Sequence, residues 1–133
     1  MNYLLDTHVL LWSFTDDRRL KKVKGIVEDR ANEVFFSAVS IWEIALKHTI
    51  GKLPVDPADA VRYCREQEFC ELPLRKEHIL ELSHLFDPGE GMYHADPFDN
   101  ILMTQAMAES MVFLTADQKL GRLKRPFIKC FST

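Results

Sequence analysis

Apolar residues along this chain fall into two patterns. Short unbroken runs occur at residues 3–5, 34–36 and 111–114, within strands expected over 3–5, 33–37 and 111–115, without the polar alternation of a half-exposed strand. Strands of a parallel sheet, covered on both faces, read this way. Between the runs, apolar positions recur at helical spacing. Val9, Leu10, Leu11 and Trp12 open one helical region after the first strand. Leu20, Val23, Ile26 and Val27 predict a helix over 20–30, and Ala38, Ile41, Trp42, Ala45 and Leu46 a second that stops near Gly51. Further helices are expected over 57–68, 77–86 and 98–110, with a break at 87–91. Pro73 marks 71–74 as an edge strand, because proline cannot donate to a central ladder. A short helix at 118–122 and a last strand at 127–130 complete the series. Strands that alternate with helices predict an α/β fold: a three-layer α/β/α sandwich around a central, mostly parallel sheet. No repeat or linker divides residues 1–133, and that length suits a single domain with a substantial core.

Composition narrows the class. Gly (5) and Pro (6) are too few for a collagen-like or disordered chain. The formal charge of −3, from 17 Lys+Arg against 20 Asp+Glu, has the wrong sign for a protein that coats nucleic acid by charge alone. Three cysteines (64, 70 and 130) without Cys-x-x-Cys spacing argue against a disulfide framework or zinc knuckle. Asp6 and His8 interrupt the apolar N-terminal run, and no run reaches the roughly 18 residues of a membrane span. A cytoplasmic protein is expected.

In open parallel sheets, ligands bind beyond the carboxyl ends of the strands. Five acids are expected there. Asp6 follows the first strand, Glu43 lies past the second, Asp96 and Asp99 flank the start of the helix over 98–110, and Asp117 follows the strand ending at Thr115. Each alone has a plainer explanation as a helix cap: Asp6 or Thr7, Asp96 before Pro97, Asp117, and a capping box from Ser40 to Glu43. Together they are harder to explain so, because capping needs one small polar residue per helix. Carboxylates that share a rim repel one another, and a divalent cation is the usual resolution. An all-oxygen donor set selects a hard ion, Mg2+ or Mn2+, suited to activating water and neutralising charge on a phosphodiester.

Four segments carry a family resemblance: Tyr3-Leu4-Leu5-Asp6-Thr7-His8, Ser37-Ala38-Val39-Ser40-Ile41-Trp42-Glu43-Ile44, His94-Ala95-Asp96-Pro97-Phe98-Asp99 and Leu114-Thr115-Ala116-Asp117. In this order, across nearly the whole chain, they resemble PIN-domain ribonucleases, with the VapC-like toxins of bacterial type II toxin–antitoxin pairs as the nearest group. The resemblance implies an Mg2+- or Mn2+-dependent endoribonuclease, typically a homodimer, held inactive by an antitoxin. It maps the family's acidic site onto Asp6, Glu43, Asp99 and Asp117, with Asp96 as an additional metal-side acid. Thr115 matches a hydroxyl residue near that site, and Thr7 stands beside Asp6 as a second supporting residue. Two departures bear on substrate choice: His8 where many members carry Asn, and Asn100 where Arg is frequent.

Other residues carry weaker signals. His94, in a loop expected to border the cleft, is a candidate phosphate contact. Lys119, Arg122, Lys124 and Arg125 follow Asp117 and are the favoured RNA-backbone contacts, ahead of Lys47 and Lys52. The run from Arg18 to Lys24 reads as the solvated side of an amphipathic helix, and Trp12 and Trp42 as core. Two other functions compete: a catalytically silent PIN-like module that binds RNA or a partner, and a phosphohydrolase that phosphorylates Asp6. The second normally needs an acid two residues after the nucleophile, where this chain has His8.

Overall fold

A computed structural model describes residues 1–15, 18–85 and 96–131. The five strands found there are β1 (Asn2–Leu5), β2 (Glu33–Ser37), β3 (Cys70–Leu72), β4 (Val112–Thr115) and β5 (Ile128–Cys130). They form one sheet in the order β3-β2-β1-β4-β5, and every neighbouring pair is parallel. The sandwich expected from the alternating pattern is present. As Pro73 implied, β3 lies at an edge.

Eight α-helices are described: α1 (Thr7–Phe14), α2 (Lys21–Glu28), α3 (Ala38–Thr49), α4 (Pro57–Glu66), α5 (Lys76–Leu80), α6 (Leu82–Leu85), α7 (Pro97–Ala108) and α8 (Gln118–Gly121). Two expected helices differ. The one over 20–30 begins as a separate 3-10 turn, Arg18–Leu20, and ends at Glu28. The one over 77–86 is interrupted at Glu81, where tighter i→i+3 bonds (Glu81 N–H to His78 O, His84 N–H to Glu81 O) replace the α ladder. The break at 87–91 and His94 lie outside the described residues. Gly51 ends α3 as expected: at φ 77° it lets Lys52 N–H reach the Lys47 carbonyl at 2.8 Å, closing a Schellman turn.

Alternation along the strands divides the core. Leu5, Val34, Phe36 and Leu114 pack with Val9, Leu10, Val23 and Cys64 from α1, α2 and α4 on one face. Leu4, Phe113 and Leu72 pack with Leu85, Leu102, Met103 and Leu120 from α6, α7 and α8 on the other. Both faces are covered, so the strand runs are continuously apolar. Among the described residues, no helix is long and apolar enough to cross a membrane.

The strand order reverses between β1 and β4, with β2 and β3 to one side and β5 to the other. Carboxyl ends of adjacent strands separate at such a switch point and leave a crevice. Asp6 and Thr115 stand at its two lips.

Candidate active site

Asp6 continues β1 by one residue, and its N–H bonds the Leu114 carbonyl at 3.0 Å. It also caps α1, accepting from His8 N–H at Oδ1 (3.2 Å). The Thr115 hydroxyl donates to its Oδ2 at 2.6 Å. With 2% of its surface exposed, Asp6 has its carboxyl pushed above the ordinary range by burial. The Thr115 hydroxyl and His8 pull it back, and the Glu43 charge adds to the rise.

Glu43 comes from the second turn of α3 and is 2% exposed. Its Oε2 meets Lys47 Nζ at 2.5 Å, one turn along the helix. Its Oε1 is buried with no hydrogen-bond partner. The capping box does not form, because Ser37 caps α3 through Val39 N–H (2.9 Å). Ser40 instead accepts from the Thr7 hydroxyl at 2.9 Å. Thr7 thereby ties α1, which follows Asp6, to α3, which carries Glu43.

Asp96 caps α7, accepting from Phe98 N–H at 2.9 Å and Asp99 N–H at 3.4 Å. Pro97 fills the first helical position, where a missing N–H costs nothing. Asp99, in the first turn, is buried, and its carboxyl is pushed up to about 8. Burial is the largest cause; the charges of Asp6, Asp96, Glu43 and Asp117 follow. Asp117 caps α8 through Lys119 N–H (2.8 Å), and its own N–H donates to the Thr115 hydroxyl (3.0 Å). One hydroxyl thus orients two of the acids.

The charges of Asp6, Glu43, Asp96 and Asp117 therefore all act on Asp99, and that of Glu43 on Asp6. Among the described residues, no three His, Cys, Asp or Glu side chains converge into a ready ligand shell. Glu43 Oε2, Asp6 Oδ2 and the capping oxygens of Asp96 and Asp117 are engaged with protein donors. The donor set still fits a hard divalent cation: it is entirely carboxylate oxygen, mutually repulsive, and includes the orphaned Glu43 Oε1.

The PIN domain family model matches residues 3–126. This chain belongs to the PIN domain family. PIN domains are nucleases and generally depend on divalent metal. No curated protein sequence matches the chain. Among solved structures, it is similar to VapBC2 from Rickettsia felis bound to a DNA fragment from its promoter (TM-score 0.75, 13% identity, 98% of each chain covered). It is also similar to DNA-bound VapBC from Salmonella typhimurium (0.70, 13%, 99% and 98%) and to VapBC-1 from nontypeable Haemophilus influenzae (0.68, 14%, 98% of each). At such identities the likeness is one of fold.

The remaining candidates of this PIN domain are spread more widely. Lys119, Arg122 and Lys124 are exposed after Asp117. Arg125 is committed elsewhere, its guanidinium donating to the Leu85 and His84 carbonyls. Trp42 is 57% exposed, edge-on to Phe98 at 4.8 Å, and is not core. Leu46 and Ile50 lie one and two turns further along the same face and are also exposed. Lys47 holds a more central place than its position in the sequence suggests. Its signal is the i,i+4 spacing from Glu43.

Proposed function

We propose that this PIN domain is a metal-dependent endoribonuclease that hydrolyses RNA phosphodiester bonds, and that it is the toxin of a type II toxin–antitoxin pair. The observation that carries the chemistry is Asp99, pushed to about 8 by burial and four neighbouring carboxylates. A protein that only bound RNA would gain nothing from burying Asp99 beside four other carboxylates. Asp6, Glu43, Asp99 and Asp117 are the catalytic set, and Asp96 joins them around Mg2+ or Mn2+. Such an ion supplies an activated water and neutralises charge on the phosphate.

The chain's own residues prepare that site. Thr115 fixes Asp6 Oδ2 and, through the Asp117 N–H, the entry to α8. Thr7 and Ser40 hold the helix carrying Glu43 against α1. Lys47 keeps one Glu43 oxygen neutralised while the other stays unpaired. Lys119, Arg122 and Lys124 are the candidate RNA contacts beyond Asp117, with His94 as a further candidate. An antitoxin partner is supported by the VapBC complexes among the similar folds. A homodimer in the cytoplasm completes the reading.

Asp6→Asn tests it. The variant should keep its melting temperature and lose Mg2+- or Mn2+-dependent cleavage of RNA. Wild-type protein, purified free of any antitoxin, that cuts no RNA in either metal sinks the nuclease and leaves a binding module.

A further inference from the structure

We propose that single-stranded RNA reaches the acids along one groove over α1, with a base stacked at Trp12 and phosphates held by Arg19, Lys47 and Lys52; this rests on the nuclease reading above. A cavity of about 490 Å³ has Glu43 in its wall together with His8, Trp12, Arg19, Lys47 and Lys52, two threonines and apolar residues. A second, of about 340 Å³, shares Trp12 and Arg19 and continues past Arg18, Lys21 and Lys22 to Ala116. Among the described residues that line the two, six side chains are Lys or Arg and Glu43 is the only acid. On a chain with a formal charge of −3, that is a strong local excess of the sign phosphate requires.

The groove also offers a surface for bases. His8 and Trp12 lie one turn apart on α1 with ring centroids 6.4 Å apart, and the Arg19 guanidinium sits 3.9 Å from the Trp12 ring centroid. Aromatic rings with a stacked guanidinium are how proteins hold unpaired bases without reading their identity. The 3-10 turn makes this possible, because Arg18–Leu20 stands apart from α2 and sets Arg19 over α1. Four of the five cations in the run expected to be a plain solvated helix face thus line the approach to Glu43. Arg19 and Lys22 have further interactions of their own, whereas Lys21 and Lys52 are simply exposed. An acidic protein segment would match the charges, but it has no use for the ring and guanidinium stack.

The test is binding of a short labelled single-stranded RNA in EDTA, followed by fluorescence anisotropy over a salt series. Lys21→Ala with Lys52→Ala should weaken binding roughly tenfold and reduce the log–log salt slope by about 1.4, because two cations no longer neutralise phosphates of the single strand. Trp12→Ala should weaken it at least about fivefold with the slope unchanged, and Trp12→Phe should restore most of the affinity. Arg65→Ala with Lys76→Ala removes the same charge away from the groove and should stay within about twofold. Equal weakening by the two double variants overturns the proposal. So does unchanged RNA binding accompanied by lost binding of polyglutamate, which would assign the groove to an acidic protein segment. Wild type that cuts RNA in Mn2+, with groove variants that bind RNA normally, sinks the groove and spares the nuclease. Groove variants that lose RNA binding, from a wild type that cuts nothing in either metal, do the reverse.

Discussion

Replacing Asp99 by Asn should stabilise the metal-free protein, and by an amount that depends on pH. The carboxyl titrates at about 8 in the folded protein against an ordinary value of 3.8. Between those values the folded state holds a proton that the unfolded chain releases, so stability falls as pH rises from about 4 to about 8. Below that window both states are protonated and nothing is lost; above it both are ionised and the full penalty applies. At about 1.4 kcal/mol per pH unit, the interval sets a ceiling of about 6 kcal/mol. Rotation of the carboxylates and entry of water at the rim lower the folded-state value itself, which reduces the penalty to about 2 kcal/mol and ends the fall in stability correspondingly below pH 8. For a chain of this size that is a rise in Tm of about 6–10 °C. The assay is a set of thermal melts of both proteins in EDTA from pH 4.5 to 8.5. Other groups titrate in both, so the difference isolates Asp99. It should be smallest at pH 4.5, where the unfolded chain has begun to release the proton, and widest at pH 8.5. Saturating Mn2+, at about 100 times its Kd, should then raise wild type by about 2.7 kcal/mol and the variant by less. A gap that does not change with pH, or a variant less stable than wild type at pH 8.5 in EDTA, refutes the mutual repulsion.

Three further outcomes follow from single interactions. Thr115→Val keeps the shape but removes the hydroxyl shared by Asp6 and Asp117, and should cost about 1–2 kcal/mol in urea melts; RNA cleavage should fall about tenfold, with Thr115→Ser restoring both. Lys47→Met leaves buried Glu43 without its cation; as the Lys47 side chain is 37% exposed, Tm in EDTA should drop by only about 1 kcal/mol equivalent, while the rise on adding Mn2+ should exceed that of wild type. In Gly121→Ala the new Cβ would meet Cys130 Cβ at 2.9 Å, so α8 and β5 must separate and the Tm should fall by the equivalent of about 1–3 kcal/mol; an unchanged Tm would show that α8 shifts freely.

The sheet was readable because its strands are buried on both faces, so Tyr3-Leu4-Leu5 and Val112-Phe113-Leu114 are apolar without interruption. Helix α3 was harder. Ile41, Trp42, Ala45 and Leu46 look like a core stripe, yet the buried side chains are Val39, Ser40, Glu43 and Ile44. Helical period identifies the more apolar face, and on α3 the inward face is the one that carries the acid, while Trp42 and Leu46 face out. The split at Glu81 was invisible because nothing in Lys76–Leu85 breaks a helix by composition. The groove was missed for another reason: Arg18 and Arg19 join Lys47 and Lys52 only through the fold, and no local spacing links residues so far apart.

The formal charge of −3 acquires a different meaning once these residues are placed. Asp6, Glu43, Asp96, Asp99 and Asp117 belong to one crevice; without them, 15 acids face 17 cations. Charge is therefore unevenly placed: the crevice is acidic, the groove with its six cations is basic, and 15 acids face 11 cations over the rest of the chain. Capping, which looked like the rival explanation for the acids, is part of how that arrangement is built. Asp6, Asp96 and Asp117 each commit an oxygen to the first N–H groups of a helix, which fixes the side chain and places it at the positive end of the helix dipole. Glu43 and Asp99 cap nothing. They carry the sharpest signs of strain in the cluster: an orphaned oxygen on one and a carboxyl raised to about 8 on the other. Three acids are held in place by helix ends and two are held in place against repulsion. Helix capping accounts for the first three, and a bound cation, as proposed above, would account for all five.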